Sequence, residues 1–416
     1  MQSVLGSLTL GYRPLWGASR ALAGIQLFIQ PRAKAAIDAA HLLRTLQELW
    51  LAHSPPLLLS PQTPQLLCDF LEHAPAGSPP IEIRGDWLAH ESVHARAAAA
   101  QRRGLKLVWR GNLAHLPDAD TARYFDRSLL TLAPEDAALA LKISADQHKQ
   151  DQPVARRRAS PVLAGQIYEG IASRALMEHC LDEQKAWALA DWPSEDVLYG
   201  FRHQGVPPAH DVIMRLMKAI DSDQSLETFE QIMGEEPVLT YRFLMYTNSA
   251  ALGLRTGIDS IRRGLMMVGY GTLKSWLAEQ LPHATLDPNL KPIKSAMVLR
   301  ALITQQILDA GVEQDLRREI YLSGLFSHLD LLMGEPLGTV LHRMPLSERI
   351  YGATVLHSGP YASSLEMACA LESSDAATTE QLCNYHDLNP EEVNRALLRV
   401  LADLDVSHTV RDAAAR

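Results

Sequence analysis

Glu236-Pro237-Val238-Leu239-Thr240-Tyr241-Arg242-Phe243-Leu244 is followed by Asn248-Ser249-Ala250-Ala251-Leu252-Gly253, then by Ile258-Asp259-Ser260-Ile261 and Leu265-Met266-Met267-Val268-Gly269. Pro237 suits the first position of a helix, where its missing N–H costs nothing. Leu239, Phe243 and Leu244 follow at helical spacing. Asp259 or Ser260 can cap a next helix, which turns Ile261, Leu265 and Val268 inward until Gly269 ends it.

The same periodicity extends outward on both sides. Val212, Ile213, Leu216, Met217 and Ile220 mark one face of a helix starting near Asp211, and Ser225 can cap another with Leu226, Phe229, Ile232 and Met233 inward. Longer helices are predicted at Ile293–Ala310, stopped by Gly311, and at Leu316–Met333, stopped by Gly334, with further ones at Leu346–His357 and Glu391–Leu404. No fixed repeat period is present, so the pattern predicts a compact bundle and not a solenoid. Met214, Met217, Met233, Met245, Met266 and Met267 lie at helical spacing and read as core filling.

Residues 1–200 have a different texture. Leu8–Leu15 and Gly24–Ile29 are spaced as a hairpin, and Leu57–Leu59, Ile81–Ile83, Leu105–Trp109 and Leu129–Leu132 are short apolar runs. Helix-like segments at Lys34–Leu51, Gln65–His73 and Ser92–Arg103 fall between them, so strand and helix alternate as in a mainly parallel sheet. Ser60-Pro61, Arg84-Gly85-Asp86 and Arg110-Gly111-Asn112 end three of the runs, where a parallel α/β domain would place a ligand site.

With 416 residues the chain exceeds what one hydrophobic core supports, and the expected division is 1–200 and 201–416. A net charge of -9 disfavours nucleic acid and anionic membranes. The one basic cluster, Arg156-Arg157-Arg158, reads as part of a solvated loop. Cys68, Cys180, Cys369 and Cys383 show no metal-ligand spacing and suit a reducing compartment. The first ten residues lack a signal-peptide pattern and no apolar run reaches the roughly 20 residues needed to cross a bilayer. The expected location is cytoplasmic.

The motif residues quoted at the outset resemble the HDOD domain, a helical relative of metal-dependent HD phosphohydrolases that lacks their His and Asp ligands. Pro237, Asn248, Ser249, Ala250, Gly253 and Gly269 carry the likeness in structural roles, Asn248 as a residue satisfying local backbone groups. The resemblance implies signalling or scaffolding without hydrolysis, with other signalling proteins as partners. The residues give the same answer independently: His210-Asp211 and His386-Asp387 are the only adjacent His-Asp pairs, the first at a helix start and the second in a loop. His328 and Asp330, two apart on one predicted helix, face different ways.

Gly11-Tyr12-Arg13-Pro14-Leu15 and Gly24-Ile25-Gln26-Leu27-Phe28 resemble the opening hairpin of an EAL domain, the family that linearises cyclic di-GMP. Ile81-Glu82-Ile83, Arg102 to Trp109 and Trp192-Pro193-Ser194-Glu195-Asp196-Val197-Leu198 fall in the order of its later strands. The fold implied is α/β plus all-α: a degenerate TIM-barrel-like EAL domain with elements lost or shortened between Leu132 and Trp192, followed by an HDOD bundle; sheet edges left open by such a barrel would need cover from the second domain or another copy of the chain. The family reaction needs two divalent cations to activate water. Here Gln26 replaces the motif Glu, Arg110-Gly111 replace the paired aspartates, the next strand's Lys is missing from Leu129–Leu132, and Glu82 alone matches a ligand position. Neither catalysis, a metal nor a cofactor is therefore expected. Arg13, Arg84 and Arg110 remain as candidates for holding nucleotide phosphates in an alternative reading, a cyclic di-GMP receptor without hydrolysis.

Overall fold

The computed structural model describes residues 4–32, 37–147, 159–249, 258–308 and 313–404. The chain divides into two compact units. One comprises Met1–Asp196 together with Ala370–Arg416, and the other comprises Val197–Cys369. The division therefore differs from 1–200 and 201–416, because the last helices belong with the first unit.

The first unit is a closed eight-stranded barrel with strands in sequence order. β1 (Leu8–Trp16) and β2 (Leu22–Pro31) form an antiparallel hairpin. β3 (Leu57–Pro61), β4 (Ile81–Arg84), β5 (Leu107–Asn112), β6 (Arg127–Thr131), β7 (Ile167–Glu169) and β8 (Ala188–Leu189) follow β2 in parallel. The helices between them are α1 (Ala39–Leu49), α2 (Pro64–His73), α3 (Glu91–Arg102), α4 (Ala119–Ala122), α5 (Pro134–Gln147) and α6 (Arg174–Glu178), with α7 (Ser194–Tyr199) after β8. Two starts show how local chemistry sets them: Asp38 caps α1 by accepting from His41 N–H, and Thr63 caps α2 ahead of Pro64.

No stave of the barrel is lost, which corrects that alternative, but two are shortened as expected. The shortened staves are β7 and β8, three and two residues long, too short to stand out as apolar runs. Trp192 to Leu198 is no late strand either, since Ser194–Tyr199 is helical. Period-two alternation then fills the barrel in layers. Leu15, Leu58, Val108, Leu129, Ile167 and Ala188 share one buried apolar layer. Two residues further along the parallel strands come Ser60, Arg110, Thr131 and Glu169, so the next layer is polar.

β1 meets β8 only at Trp16 and Leu189. The rest of that edge is bonded by the C-terminal segment. Tyr12 N–H donates to Leu371 O at 2.8 Å. Asn394 accepts from Leu10 N–H at 3.2 Å and donates to the carbonyls of Leu5 and Leu8, both at 2.8 Å. Uncovered strand edges recruit other chains, and this cover removes the hazard within the chain itself.

The second unit is helical: α8 (His210–Asp221), α9 (Leu226–Gly234), α10 (Pro237–Thr247), α11 (Ile261–Gln280), α12 (Lys291–Ile307), α13 (Gln314–Phe326), α14 (Leu329–Met333), α15 (Leu337–His342), α16 (Glu348–Val355) and α17 (Ala362–Ala370). α18 (Ala376–Tyr385) and α19 (Pro390–Ala402) lie in the first unit. Ser225 and Ser260 cap α9 and α11. Gly269 interrupts α11 with φ 72°, after which the helix resumes to Gln280 instead of stopping. The helix predicted over Leu316–Met333 is two, broken at Ser327-His328, and ends on Gly334 in the left-handed conformation. Gly311 lies outside the described residues.

At Gly324, α13 crosses α12 so closely that a Cβ would lie 2.5 Å from Ala301 Cα. Gly324→Val is expected to cost about 3 kcal/mol through overpacking against backbone, measured by urea unfolding with the far-UV signal of the helices.

Candidate functional site

The polar layer gathers at the C-terminal mouth of the barrel. Arg110, on β5, donates from Nη1 to Glu82 Oε1 at 3.2 Å and from Nη2 to both oxygens of Glu169 at 3.2 and 3.0 Å. Arg13, on β1, donates from Nε to Gln26 Oε1 at 2.9 Å, from Nη1 to Asp191 Oδ1 at 3.2 Å and from Nη2 to Glu169 Oε2 at 2.9 Å. Gln26 Nε2 donates to the second oxygen of Glu82 at 2.5 Å, and Thr131 Oγ1 donates to Glu169 at 2.8 Å. Asp191 closes the set by accepting from Gly170 N–H at 2.9 Å.

Electrostatics follow from this wiring. Glu82 is 3% exposed, and burial pushes its carboxyl above the usual range although Arg110 beside it pulls the other way. Burial also opposes the charge on Glu169, but Arg110 and Arg13 together outweigh it and hold that carboxyl low. Burial likewise works against the Arg110 charge, and Glu82 and Glu169 overcome it, so the guanidinium is held more firmly than usual.

The residues singled out from sequence are thus only partly brought together. Arg13 and Arg110 converge with Glu82, whereas Arg84 is half exposed, paired to Asp86 at 2.9 Å and stacked over Trp87. Neither Arg13 nor Arg110 is an ordinary loop arginine: both project from strands into a carboxylate network. Glu169 and Asp191 were absent from the sequence reading. They reach the site from β7 and from just beyond β8, and no local motif marks them.

The resemblance implies two divalent cations at such a mouth, and the side chains present do not fit them. The Arg110 guanidinium spans the gap between Glu82 and Glu169 and takes the oxygens a cation would need. Among the described residues, no group of three or more His, Cys, Asp or Glu side chains is placed to hold a metal ion.

At the other end of the barrel, Ser160, His179 and Glu183 form a chain of hydrogen bonds, 2.9 Å from Ser160 Oγ to His179 Nε2 and 2.6 Å from His179 Nδ1 to Glu183. An ionised Glu183 can only accept there, so Nδ1 carries the proton. His179 is fully buried, and Tyr168 holds Leu163 of the same loop. The chain fastens the loop before β7 at the barrel's N-terminal face, the face that serves stability in such barrels.

In the helical unit, Pro237 opens α10, and Glu236 caps it by accepting from Leu239 N–H while pairing with the buried Lys294. Asn248 donates from Nδ2 to Leu244 O at 2.7 Å and Ile258 O at 2.8 Å, and accepts from Ile258 N–H at 2.7 Å. It thereby ties the end of α10 to the start of the next described segment. Ser249 is half-buried, and its Oγ has no partner among the described residues. Ala250 and Gly253 lie outside the described residues, as do Arg156, Arg157 and Arg158. Asp211 sits in the first turn of α8, and His386 ends α18. Met233 is buried, but Met214, Met266 and Met267 are exposed, which corrects their reading as core filling.

Residues 206–334 match the HDOD domain family. The cyclic di-GMP phosphodiesterase CdgJ of Vibrio cholerae is 22% identical over 194 residues, 46% of this chain and 45% of its own. The uncharacterized protein YuxH of Bacillus subtilis is 23% identical over 225 residues, 52% of this chain and 54% of its own. The chain thus spans about half the length of the curated relatives it matches. Among solved structures, the MmoQ response regulator of Methylococcus capsulatus covers 47% of this chain and 98% of its own, at 16% identity and a TM-score of 0.38. The EAL domain of Mycobacterium smegmatis DcpA covers 44% of this chain and 89% of its own, at 12% identity and a TM-score of 0.27. No helix among the described residues is long and apolar enough to cross a membrane.

Proposed function

We propose, for a chain that carries the tandem EAL–HDOD arrangement, that it is a non-hydrolytic signal-transduction protein which acts by binding other proteins. One observation carries this reading: the guanidinium of Arg110 bridges Glu82 and Glu169 at the barrel mouth. A fixed internal cation there offers charge balance but no Lewis acid and no bound water to activate. The HDOD domain supports the second half of the reading, since Asn248 and the Glu236–Lys294 pair serve its own backbone and packing. The name of CdgJ makes cyclic di-GMP the substrate to test. With Mg²⁺ or Mn²⁺ present, this chain is expected to leave cyclic di-GMP intact over hours. Metal-dependent turnover that disappears in Glu82→Gln would overturn the proposal. Binding of the nucleotide tighter than about 10 µM, lost in Arg110→Ala, would instead replace it with a receptor role.

A further inference from the structure

The helical unit is inserted into the barrel unit, so the chain leaves the barrel after Asp196 and returns at Ala370. Both connections end at neighbouring residues of β1. Five residues before Asp196, Asp191 accepts from Arg13 through Oδ1 at 3.2 Å and from Gly170 N–H through Oδ2 at 2.9 Å. Gly170 directly follows Glu169, so one carboxylate grips both Arg13 and the peptide adjoining its other partner. On the return side, Leu371 O accepts from Tyr12 N–H at 2.8 Å, next to Arg13. Gly11, one residue earlier, lies so close to Ser373 O that a Cβ would sit 2.1 Å from it.

From this juxtaposition we infer that Asp191 and Leu371 are two tethers coupling the barrel-mouth network to the inserted helical unit through β1. Arg13 is the positioning residue at which they meet. A group that competes for Arg13, an anion above all, frees Asp191 and the peptide at Gly170, and so loosens the connection that leads into the helical unit. Coupling of this kind is reciprocal, so whatever binds the helical unit also biases the mouth. The inference rests on the proposed signalling role, because it gives the mouth a purpose other than hydrolysis.

Hydrogen–deuterium exchange of the full chain tests it. Asp191→Asn and Arg13→Gln are each expected to speed exchange at least about threefold in α8, α10 and α13, well beyond the connections themselves. Arg84→Gln, which breaks an exposed pair outside the network, should leave those helices unchanged. Faster exchange confined to residues 8–196 and 370–404 in both network variants would overturn the coupling. If Asp191→Asn fails to fold, Arg13→Gln carries the test alone, since it alters neither connection. Turnover of cyclic di-GMP by the wild type would remove the non-hydrolytic reading and leave this exchange result standing.

Discussion

Arg110→Ala is expected to lower folding stability by about 3–5 kcal/mol at neutral pH, the cost of stripping a buried carboxylate of its counter-charge, as read by urea unfolding. Glu82 has no water to turn to, being 3% exposed, and its remaining partners, Gln26 and Ser60, are neutral. Glu169 keeps Arg13 and Thr131, so the larger part of the loss falls on Glu82. The pH dependence identifies the cause. Glu82 already titrates above its ordinary value of 4.5, and loss of Arg110 moves it further up. A carboxyl with a raised folded-state pKa favours the fold while protonated and loses that contribution as pH rises through the raised value. The deficit of the variant should therefore be greatest near neutrality and shrink on acidification towards the ordinary carboxyl value. Arg84→Ala, at an exposed pair, should change stability by no more than about 0.5 kcal/mol. A deficit that does not vary with pH would mean that Arg110 acts through packing alone.

Gly11→Val should be comparably severe for a different reason. The seam between β1 and the C-terminal segment admits no Cβ at this position, because Ser373 O would be 2.1 Å away and Leu371 O 3.4 Å away. Backbone, not a pliable side chain, stands in the way. Either the strand or the segment must move, and the Tyr12 bond to Leu371 goes with it. The expected loss is about 3–5 kcal/mol, overpacking plus stranded polar groups. Limited proteolysis should then cleave the chain within 370–404 at protease levels that spare the wild type. Resistance equal to wild type would show that the seam does not hold the segment in place.

These two positions also show what could and could not be read from the sequence. The helical unit was legible because its signals are local: Ser225, Pro237 and Ser260 mark starts that depend on the next three residues, and the apolar period runs uninterrupted behind them. Where a helix is broken by tertiary demands, as at Gly269 or Ser327-His328, the same period misled. The first six strands were legible as apolar runs, whereas β7 and β8 are defined by the neighbours they pair with and not by their own two or three residues. The site follows the same rule. Glu82 was singled out by the resemblance to the EAL family, and Arg110 by that resemblance together with its place at a strand end. Glu169 and Asp191 depend on barrel closure to arrive beside Arg13, and closure was the step the sequence concealed. Gly11 looked like part of a hairpin, and its real constraint is a carbonyl more than 350 residues away in the chain.

If Arg110 stands where cations would otherwise bind at the barrel mouth, Mn²⁺ should find no site there. Electron paramagnetic resonance of the full chain titrated with Mn²⁺ should show the free aqueous ion throughout, with no site tighter than about 1 mM. Stoichiometric Mn²⁺ binding in the wild type, abolished by Glu82→Gln, would mean that the mouth holds cations and that Arg110 does not replace them.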